Sequence, residues 1–452
     1  MIHPERIKIL NKNPVLKRNF VVYWMQASQR AECNHALEYA VRSANSLKLP
    51  IVVYFALTGS YPEANLRHYS FMLEGICETA RMLRHRGIPF VLSEGPPAEG
   101  IIKFARDASL IITDCGYTKI QKQWRAQAAE GLDCSLVQVE TDVLVPADEV
   151  SQKEEYAART IRPKIHRLLD YYAVPLEERI PEVDSLSLNI KTFNTDSTDS
   201  ILSSLKIDRS VQPSVFYKGG TLAAKKLLDD FIEKKLDYYP ENKNDPNKDG
   251  TSGLSPYIHF GQISPLYIYL KVLQAGGPGM AAFIEELIVR RELAINFVNN
   301  NNFYDSFRCL PEWCRKTLET HRLDPKEYVY SPDEMEAGST HDPYWNAAQI
   351  ELVKTGRMHG YMRMYWGKKI LEWADNPESG FETALYLNNK YGLDGRDPNS
   401  FAGVAWCFGK HDRPWKERTT FGTVRYMNDK GLKKKFDADL YVKKVACITC
   451  LT

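Results

Sequence analysis

FVVYWM at Phe20–Met25 and IVVYFAL at Ile51–Leu57 are short, unbroken runs of apolar residues, mostly β-branched or aromatic. Neither alternates with polar residues, so both faces of each strand call for burial, as in a parallel sheet covered on both sides. Between them, residues 31 to 47 put Leu37, Ala40, Val41, Ala44 and Leu47 on one helix face, and a longer helix over about 66 to 86 stops at Gly87. Pro89 to Leu92, Leu110 to Thr113 and Leu136 to Glu140 predict three more strands. This alternation predicts a doubly wound, parallel-sheet α/β domain over residues 1–145. No G-x-G-x-x-G follows the first strand, which excludes the usual dinucleotide-binding version.

Working outward, residues 146–215 change character. A mixed helix around Tyr156 to Tyr172 leads into KTFNTDSTDSILSS, whose Ser, Thr and Asp predict a loop, so the segment reads as an interdomain linker. From 216 to 452 the periodicity is helical, over 220–236, 264–275, 280–298, 346–355, 358–374 and 379–391. An α/β domain, a connector and an all-α domain follow in that order.

Bulk properties bound the function only loosely. With 44% hydrophobic and 26% charged residues and a net charge of +2, the chain reads as an ordinary globular protein. No signal-peptide run or membrane-length apolar stretch is evident, so a cytoplasmic protein is expected, nucleoid-associated in a prokaryote or nuclear in a eukaryote. Nine cysteines, an odd number, read as reduced thiols, and the single C-x-x-C at Cys447 and Cys450 lacks the second pair a zinc site needs, so no metal is expected.

Five constellations carry chemistry. Thr251-Ser252-Gly253-Leu254-Ser255 precedes a helix start and suits a phosphate, although a plain N-cap explains it as well. In FIEELIVRRELAINF, Glu286 and Arg290 share a helix face among apolar neighbours. Buried charges need partners or a ligand, so a surface ion-pair ladder and a lined pocket stand level. The 356–373 run places Arg363, Met364, Trp366 and Trp373 on one helix, with Trp345 shortly before, which is either packing or a one-electron relay. Asp394, Arg396, Asp397 and Asn399 form a dense polar turn. Finally, residues 410–444 hold eleven Lys or Arg against five Asp or Glu, interleaved with Trp415 and Tyr426, as on a phosphate-binding surface or a merely solvated one.

In order and spacing these stretches resemble the photolyase/cryptochrome superfamily, specifically class II cyclobutane pyrimidine dimer (CPD) photolyases. EELIVRRELAINF and the GKHDRPWKER…FG…VRYMN segment carry the resemblance, which spans nearly the whole chain. Thr420 and Thr423 depart from it, standing where an aliphatic residue and a lysine are expected.

The resemblance implies FAD, active as FADH⁻, in the helical domain. Tyr239, Thr251, Ser252, Leu254 and Ser255 would hold its diphosphate and ribose, with Arg290 or Arg291 facing it. Arg363 and Asp394 would flank the isoalloxazine, Asp397 would hold its edge, Arg396 would also bind the cofactor, and Asn388, with Asn399 as the alternative, would sit beside N5. Glu286 would bond the lesion's carbonyls from an apolar pocket, Met364 and Trp406 would pack on its thymines, and Asn244 would contact them. Trp366, Trp345 and Trp373 would form the relay. Lys410, Arg413, Trp415, Arg418 and Arg425 would meet DNA.

Light-driven repair of cyclobutane dimers in DNA by a monomer is therefore expected, with an antenna chromophore, a deazaflavin by preference, in the α/β domain. A cryptochrome-like light sensor is the rival, disfavoured by the short C-terminal tail. A six-four photoproduct enzyme would need an active-site histidine pair, whereas His259 and His359 read as packing or surface residues. A flavoprotein that never touches DNA leaves the basic, Trp-bearing segment unexplained.

Overall fold

Every central strand of the first half is sandwiched between helices. The computed structural model describes residues 2–188, 190, 192 and 197–449. Its sheet runs β1 (Ile7–Ile9), β6 (Ser135–Val139), β5 (Ala108–Asp114), β2 (Phe20–Trp24), β3 (Ile51–Leu57), β4 (Phe90–Glu94), all parallel except β1, which pairs antiparallel with β6. On one face, Val21, Tyr23 and Val53 pack with Leu37 and Ala40 of α1 (His35–Leu47) and Leu73 and Ile76 of α2 (Leu66–His85). On the other, Val22, Trp24 and Val52 pack with Ile101 of α3 (Pro97–Phe104) and Ala128 of α4 (Lys119–Gly131). This two-sided burial is why the strands read as continuous apolar runs.

The predicted doubly wound sheet is therefore present, with adjustments at its ends. β1 went unread because its three residues, IKI, are half exposed and carry no pattern. α1 begins at His35 rather than near 31, where the Asn34 side chain accepts from the Leu37 N–H and fixes the cap. The chain runs from β2 outward to β3 and β4 and then crosses to β5 and β6, so the winding reverses beside β2. Such reversals open a crevice at the carboxyl ends of the strands.

Within the Ser/Thr/Asp-rich stretch, where a loop is expected, Thr198–Ser204 is helical, capped by Ser197, and residues 191 and 193–196 lie outside the described residues. Ile201, Leu202 and Leu205 enter the α1–α2 core, so this part of the segment is packed against the sheet domain.

The remainder is helical. Met280–Ile284 runs into a π-helical stretch, Glu285–Arg290, and then into Arg291–Asn300, so the expected 280–298 helix carries a change of register. Pro343–Thr355, Gly360–Trp373, Pro377–Tyr391 and Pro398–Cys407 pack against one another behind it. Pro398–Cys407 was hidden in the sequence by the polar residues before it.

Two arginines bolt the halves together. Arg67 of α2 donates to the carbonyls of Leu352 (3.4 Å), Val353 (2.7 Å) and Tyr391 (3.0 Å), supplying the partners that two helix C-termini lack. Arg30 pairs with Asp142 at 2.7 Å and donates to the Gly261 carbonyl at 2.9 Å. Among the described residues, no helix is long and apolar enough to cross a membrane.

Candidate active-site cleft

The largest consequence of the π-helical stretch is where it points its charges. A π turn shifts the side chains after it by roughly a residue, and such turns concentrate at functional sites. Glu285 takes two hydrogen bonds from Arg162, at 2.9 and 2.7 Å, on one side. Glu286 and Arg290 face a cleft of about 1320 Å³ on the other.

That cleft gathers much of what the sequence singled out. Tyr239, Asn244, Thr251, Glu286 and Arg290 line it, with Arg363 and Met364 from the Gly360–Trp373 helix. Asn399, Ala402, Gly403 and Trp406 line it from Pro398–Cys407. The last four stand at i, i+3, i+4 and i+7, one face of one helix, with small residues at the centre that leave room.

Electrostatics single out the cleft further. Arg363 donates to Asp394 at 3.0 Å. Burial alone would raise the Asp394 carboxyl, but Arg363 and the Ser255 hydroxyl outweigh it and hold it below its usual range. The Arg363 Nε is buried without a hydrogen-bond partner, while the Arg290 Nε is ion-paired with Glu285 at 3.3 Å. Arg290 lies 5.9 Å over the Trp406 ring. A buried cationic donor such as the Arg363 Nε–H is costly unless a ligand meets it.

Glu286 departs from expectation. Its side chain is 42% exposed and accepts from Lys243 Nζ at 2.7 Å, so it stands in a charged setting rather than an apolar one. Lys243, which the sequence reading missed, was marked only by its place beside Asn244. Arg357 was missed as well; it donates to the Thr251 hydroxyl and, at 3.0 Å, to the Tyr217 hydroxyl.

Other predicted residues lie elsewhere. Arg291 is buried, donating to the Asp142 carbonyl at 2.6 Å, so of the two arginines it is Arg290 that faces the cleft. Arg396 is buried against the Asn389 carbonyl and His68, and lines a separate cavity. Asp397 caps Pro398–Cys407 and bonds His259 at 3.2 Å, in a polar chamber between the halves. Asn388 is 1% exposed and donates to the Ser400 hydroxyl, outside the cleft lining, whereas Asn399 belongs to it. Leu254 is core, and the Ser252 hydroxyl accepts from its N–H at 3.4 Å.

Of the basic set, Lys410 is a correction. It is 5% exposed, donates to the Cys309 carbonyl at 2.8 Å and pairs with Glu154, so its charge is already spent inside the fold. Arg413, Trp415, Arg418 and Arg425 are exposed, Arg413 and Arg425 standing 5.4 and 4.9 Å from the Trp415 ring centre. The Thr420 N–H is held by Asp324 and the Thr423 N–H by Thr317, which gives both threonines a local structural task.

The three tryptophans form a buried chain. Trp366 and Trp345 are near-parallel with centroids 6.4 Å apart, and Trp345 meets Trp373 at 5.6 Å.

A second cavity, of about 780 Å³, opens at the carboxyl ends of β2 and β3. Trp24, Phe55, Tyr61, Tyr69, Met72 and Trp124 give it an apolar, aromatic wall.

Comparison with known proteins decides the family. Over 446 residues, 98% of this chain and 99% of the relative, the sequence is 52% identical to a deoxyribodipyrimidine photo-lyase of Methanothermobacter thermautotrophicus. The chain belongs to the DNA photolyase family. A deoxyribodipyrimidine photo-lyase of Potorous tridactylus is 39% identical over 98% of this chain and 84% of its own, and the DNA photolyase family model matches residues 21–183. A class III photolyase structure from Agrobacterium tumefaciens shares the fold at a TM-score of 0.73, covering 95% of this chain and 87% of its own at 18% identity. An archaeal photolyase structure from Sulfolobus tokodaii, with two FAD molecules, does so at 0.69, with 94% and 89% covered and 17% identity. As a photolyase, the chain is a light-driven DNA-repair enzyme rather than a signalling relative.

Proposed function

We propose that the cleft holds FAD together with a cyclobutane pyrimidine dimer turned out of DNA, and that the chain is a photolyase of the class II type. The observation that carries this reading is the cleft itself. Arg290 and Arg363 converge on it from two different helical segments beside the apolar surfaces of Met364 and Trp406, and the Arg363 Nε is buried in its wall without a hydrogen-bond partner. A flavin's carbonyls and diphosphate are the kind of acceptor that the unpartnered Arg363 Nε–H requires, so the residues present fit the group. When bound and reduced, FAD supplies a light-absorbing one-electron donor, its electron being lent to the dimer and returned.

The chain's own residues do the rest. Tyr239, Thr251, Ser252 and Ser255 would hold the polar end of the cofactor, and Arg363 with Asp394 would set a fixed charge pair beside its ring system. Trp406 and Met364 offer an apolar clamp for the two fused bases. Turning a base out of a duplex costs a few kcal/mol, least where pairing is already poor. The lesion's carbonyl oxygens would take their hydrogen bond from a proton that Glu286 shares with Lys243, whose Nζ lies 2.7 Å from Oε1, with Asn244 beside them. Asn399 takes the place of Asn388 as the amide nearest the reacting groups. The tryptophan chain would carry electrons inward to prepare the cofactor. The exposed Arg413, Arg418 and Arg425 would meet backbone phosphates.

The second cavity suits an antenna chromophore, and its aromatic walls favour a flat, deazaflavin-like molecule. The deciding experiment illuminates the purified, anaerobically reduced protein with a thymine-dimer oligonucleotide. Thymine absorbance should return in blue light and not in darkness. Its failure to return in a protein that carries FAD would sink the proposal.

A further inference from the structure

Gln349 touches the centre of the tryptophan chain. It is fully buried and stands four residues after Trp345 on Pro343–Thr355, so the two share a helix face. Trp366, from the facing helix, donates its indole Nε1–H to Gln349 Oε1 at 2.9 Å. The Gln349 amide is held in turn, its Nε2 donating to the Glu336 carbonyl at 3.1 Å, which also fixes which end of the amide is the acceptor. Trp345 Nε1–H donates to the Trp366 backbone carbonyl at 2.9 Å. Both inner indole protons therefore rest on neutral oxygens.

The ionisable neighbours are occupied elsewhere. The Glu336 carboxylate is taken by Lys390 (2.6 Å) and Tyr391 (2.5 Å). Asp342 accepts from Tyr365, Glu351 from Tyr441 at 2.6 Å, and Lys369 pairs with Glu372 at 2.7 Å. Trp366 is 1% exposed, so water offers no alternative base.

We propose that Gln349 is a positioning residue of the relay, whose neutral amide oxygen keeps the proton on Trp366 while Trp366 is oxidised. This rests on the relay reading above. The electron count is simple. Trp366 gives one electron to a photoexcited isoalloxazine, and its Nε1–H bond stays whole because an amide oxygen is too weak a base to take the proton. Trp345 then returns one electron to Trp366, and the positive hole moves outward with no bond made or broken. A carboxylate in place of the amide would accept the proton, breaking the N–H bond, forming an O–H bond and leaving a neutral indolyl radical. That radical is a poorer oxidant of Trp345, so the hole would stall and fall back.

The test is flash spectroscopy on FAD-loaded protein, following the protonation state of the tryptophan radical and the yield of flavin photoreduction. The wild type should show the protonated radical at all pH values. In Gln349→Glu, a neutral radical should appear as pH rises from about 6 to 9, the range in which a buried carboxyl ionises. The photoreduction yield should fall about tenfold over that range, the change expected when about 1.4 kcal/mol of driving force is lost. Gln349→Met, which has no basic atom, should show no pH dependence. If the carboxylate variant does not fold, Gln349→His supplies a comparable base. A Gln349→Glu protein with the wild-type radical and yield at every pH overturns the proposal. So do equal, pH-independent losses in Glu and Met variants, which would mean packing alone. Trp366→Phe separates the two layers: normal photoreduction there removes the relay itself, whereas blocked photoreduction beside an unaffected Gln349→Glu removes only the role of Gln349.

Discussion

The cleft in the helical half and the cavity at the sheet edge are built from different materials. The cleft is walled by Glu286, Lys243, Arg290 and Arg363, and the Arg363 Nε in it is buried without a hydrogen-bond partner. The sheet-edge cavity is walled mainly by rings and methyl groups; its buried cation, Arg396, is tied to the Asn389 carbonyl at 2.8 Å, and the unpartnered atoms in its wall belong to the neutral amides of Gln26 and Gln29. Its rim is set by Asp114, which accepts from the N–H groups of Gln26 (2.9 Å) and Ala27 (2.8 Å) and so fixes the turn after β2. The polar atoms left unmet are therefore cationic in the cleft and neutral in the cavity, which suits the proposed division between a reacting site and a holding site.

The sharpest way to break this contrast is Arg363→Ala. It leaves the largely buried Asp394 to the Ser255 hydroxyl, and losing one partner of such a pair costs at most about 3–5 kcal/mol. Denaturant melts should show a loss of that order, and the purified protein should come out without flavin colour. By the same contrast, Ala64→Phe, which narrows the sheet-edge cavity, should alter antenna absorption and leave flavin in the cleft. Loss of both chromophores in that variant would show that the two sites are not independent.

Next in size is Glu286→Ala. A hydrogen bond to a charged group is worth about 1.5–3 kcal/mol, so single-turnover repair should slow about tenfold or more with FAD retained. An unchanged rate would return Glu286 to a purely structural pairing with Lys243.

Acid should act on the cleft half through His359, whose Nδ1 accepts from the Tyr361 N–H at the head of Gly360–Trp373. Burial, helped by Arg357, depresses this histidine from 6.5 to about 4. The unfolded chain takes up the proton first, so the contribution to stability is complete above pH about 6.5 and is lost as pH falls towards 4, at most about 3 kcal/mol. His359→Asn, which keeps a capping oxygen, should flatten the stability curve in that window; an unaltered curve would assign acid sensitivity to other groups.

The smallest effect concerns the surface. Arg413→Ala should lower the salt slope of DNA binding by about one, whereas Lys410→Ala should lower stability and leave the slope alone. The opposite pattern would reverse the distinction drawn between the two cations.

Much of this was legible in the sequence because burial on both faces writes itself into FVVYWM and IVVYFAL directly. The nearness of Glu286 and Arg290 in one apolar stretch, and of Trp345, Trp366 and Trp373 in 29 residues, was likewise visible, although Glu286 pairs with Lys243 and Arg290 with Glu285. What stayed hidden depends on contacts between distant segments. Lys410 looks like any other cation until the Cys309 carbonyl and Glu154 are brought to it. Asn388 and Asn399 are indistinguishable amides until Pro398–Cys407 folds and one of them turns to Ser400. Local composition also concealed the Pro398–Cys407 helix, and a π turn changes register without leaving any mark in residue type.

Arg67 has an optical consequence. One guanidinium anchors α2, whose Tyr69 and Met72 line the sheet-edge cavity, to the ends of two helices in the half that contains the cleft. Two pigments seated in the two sites would keep a constant distance and a constant angle between their transition dipoles. Excitation would then hop between them at a single rate in every molecule, with no averaging over a swaying hinge.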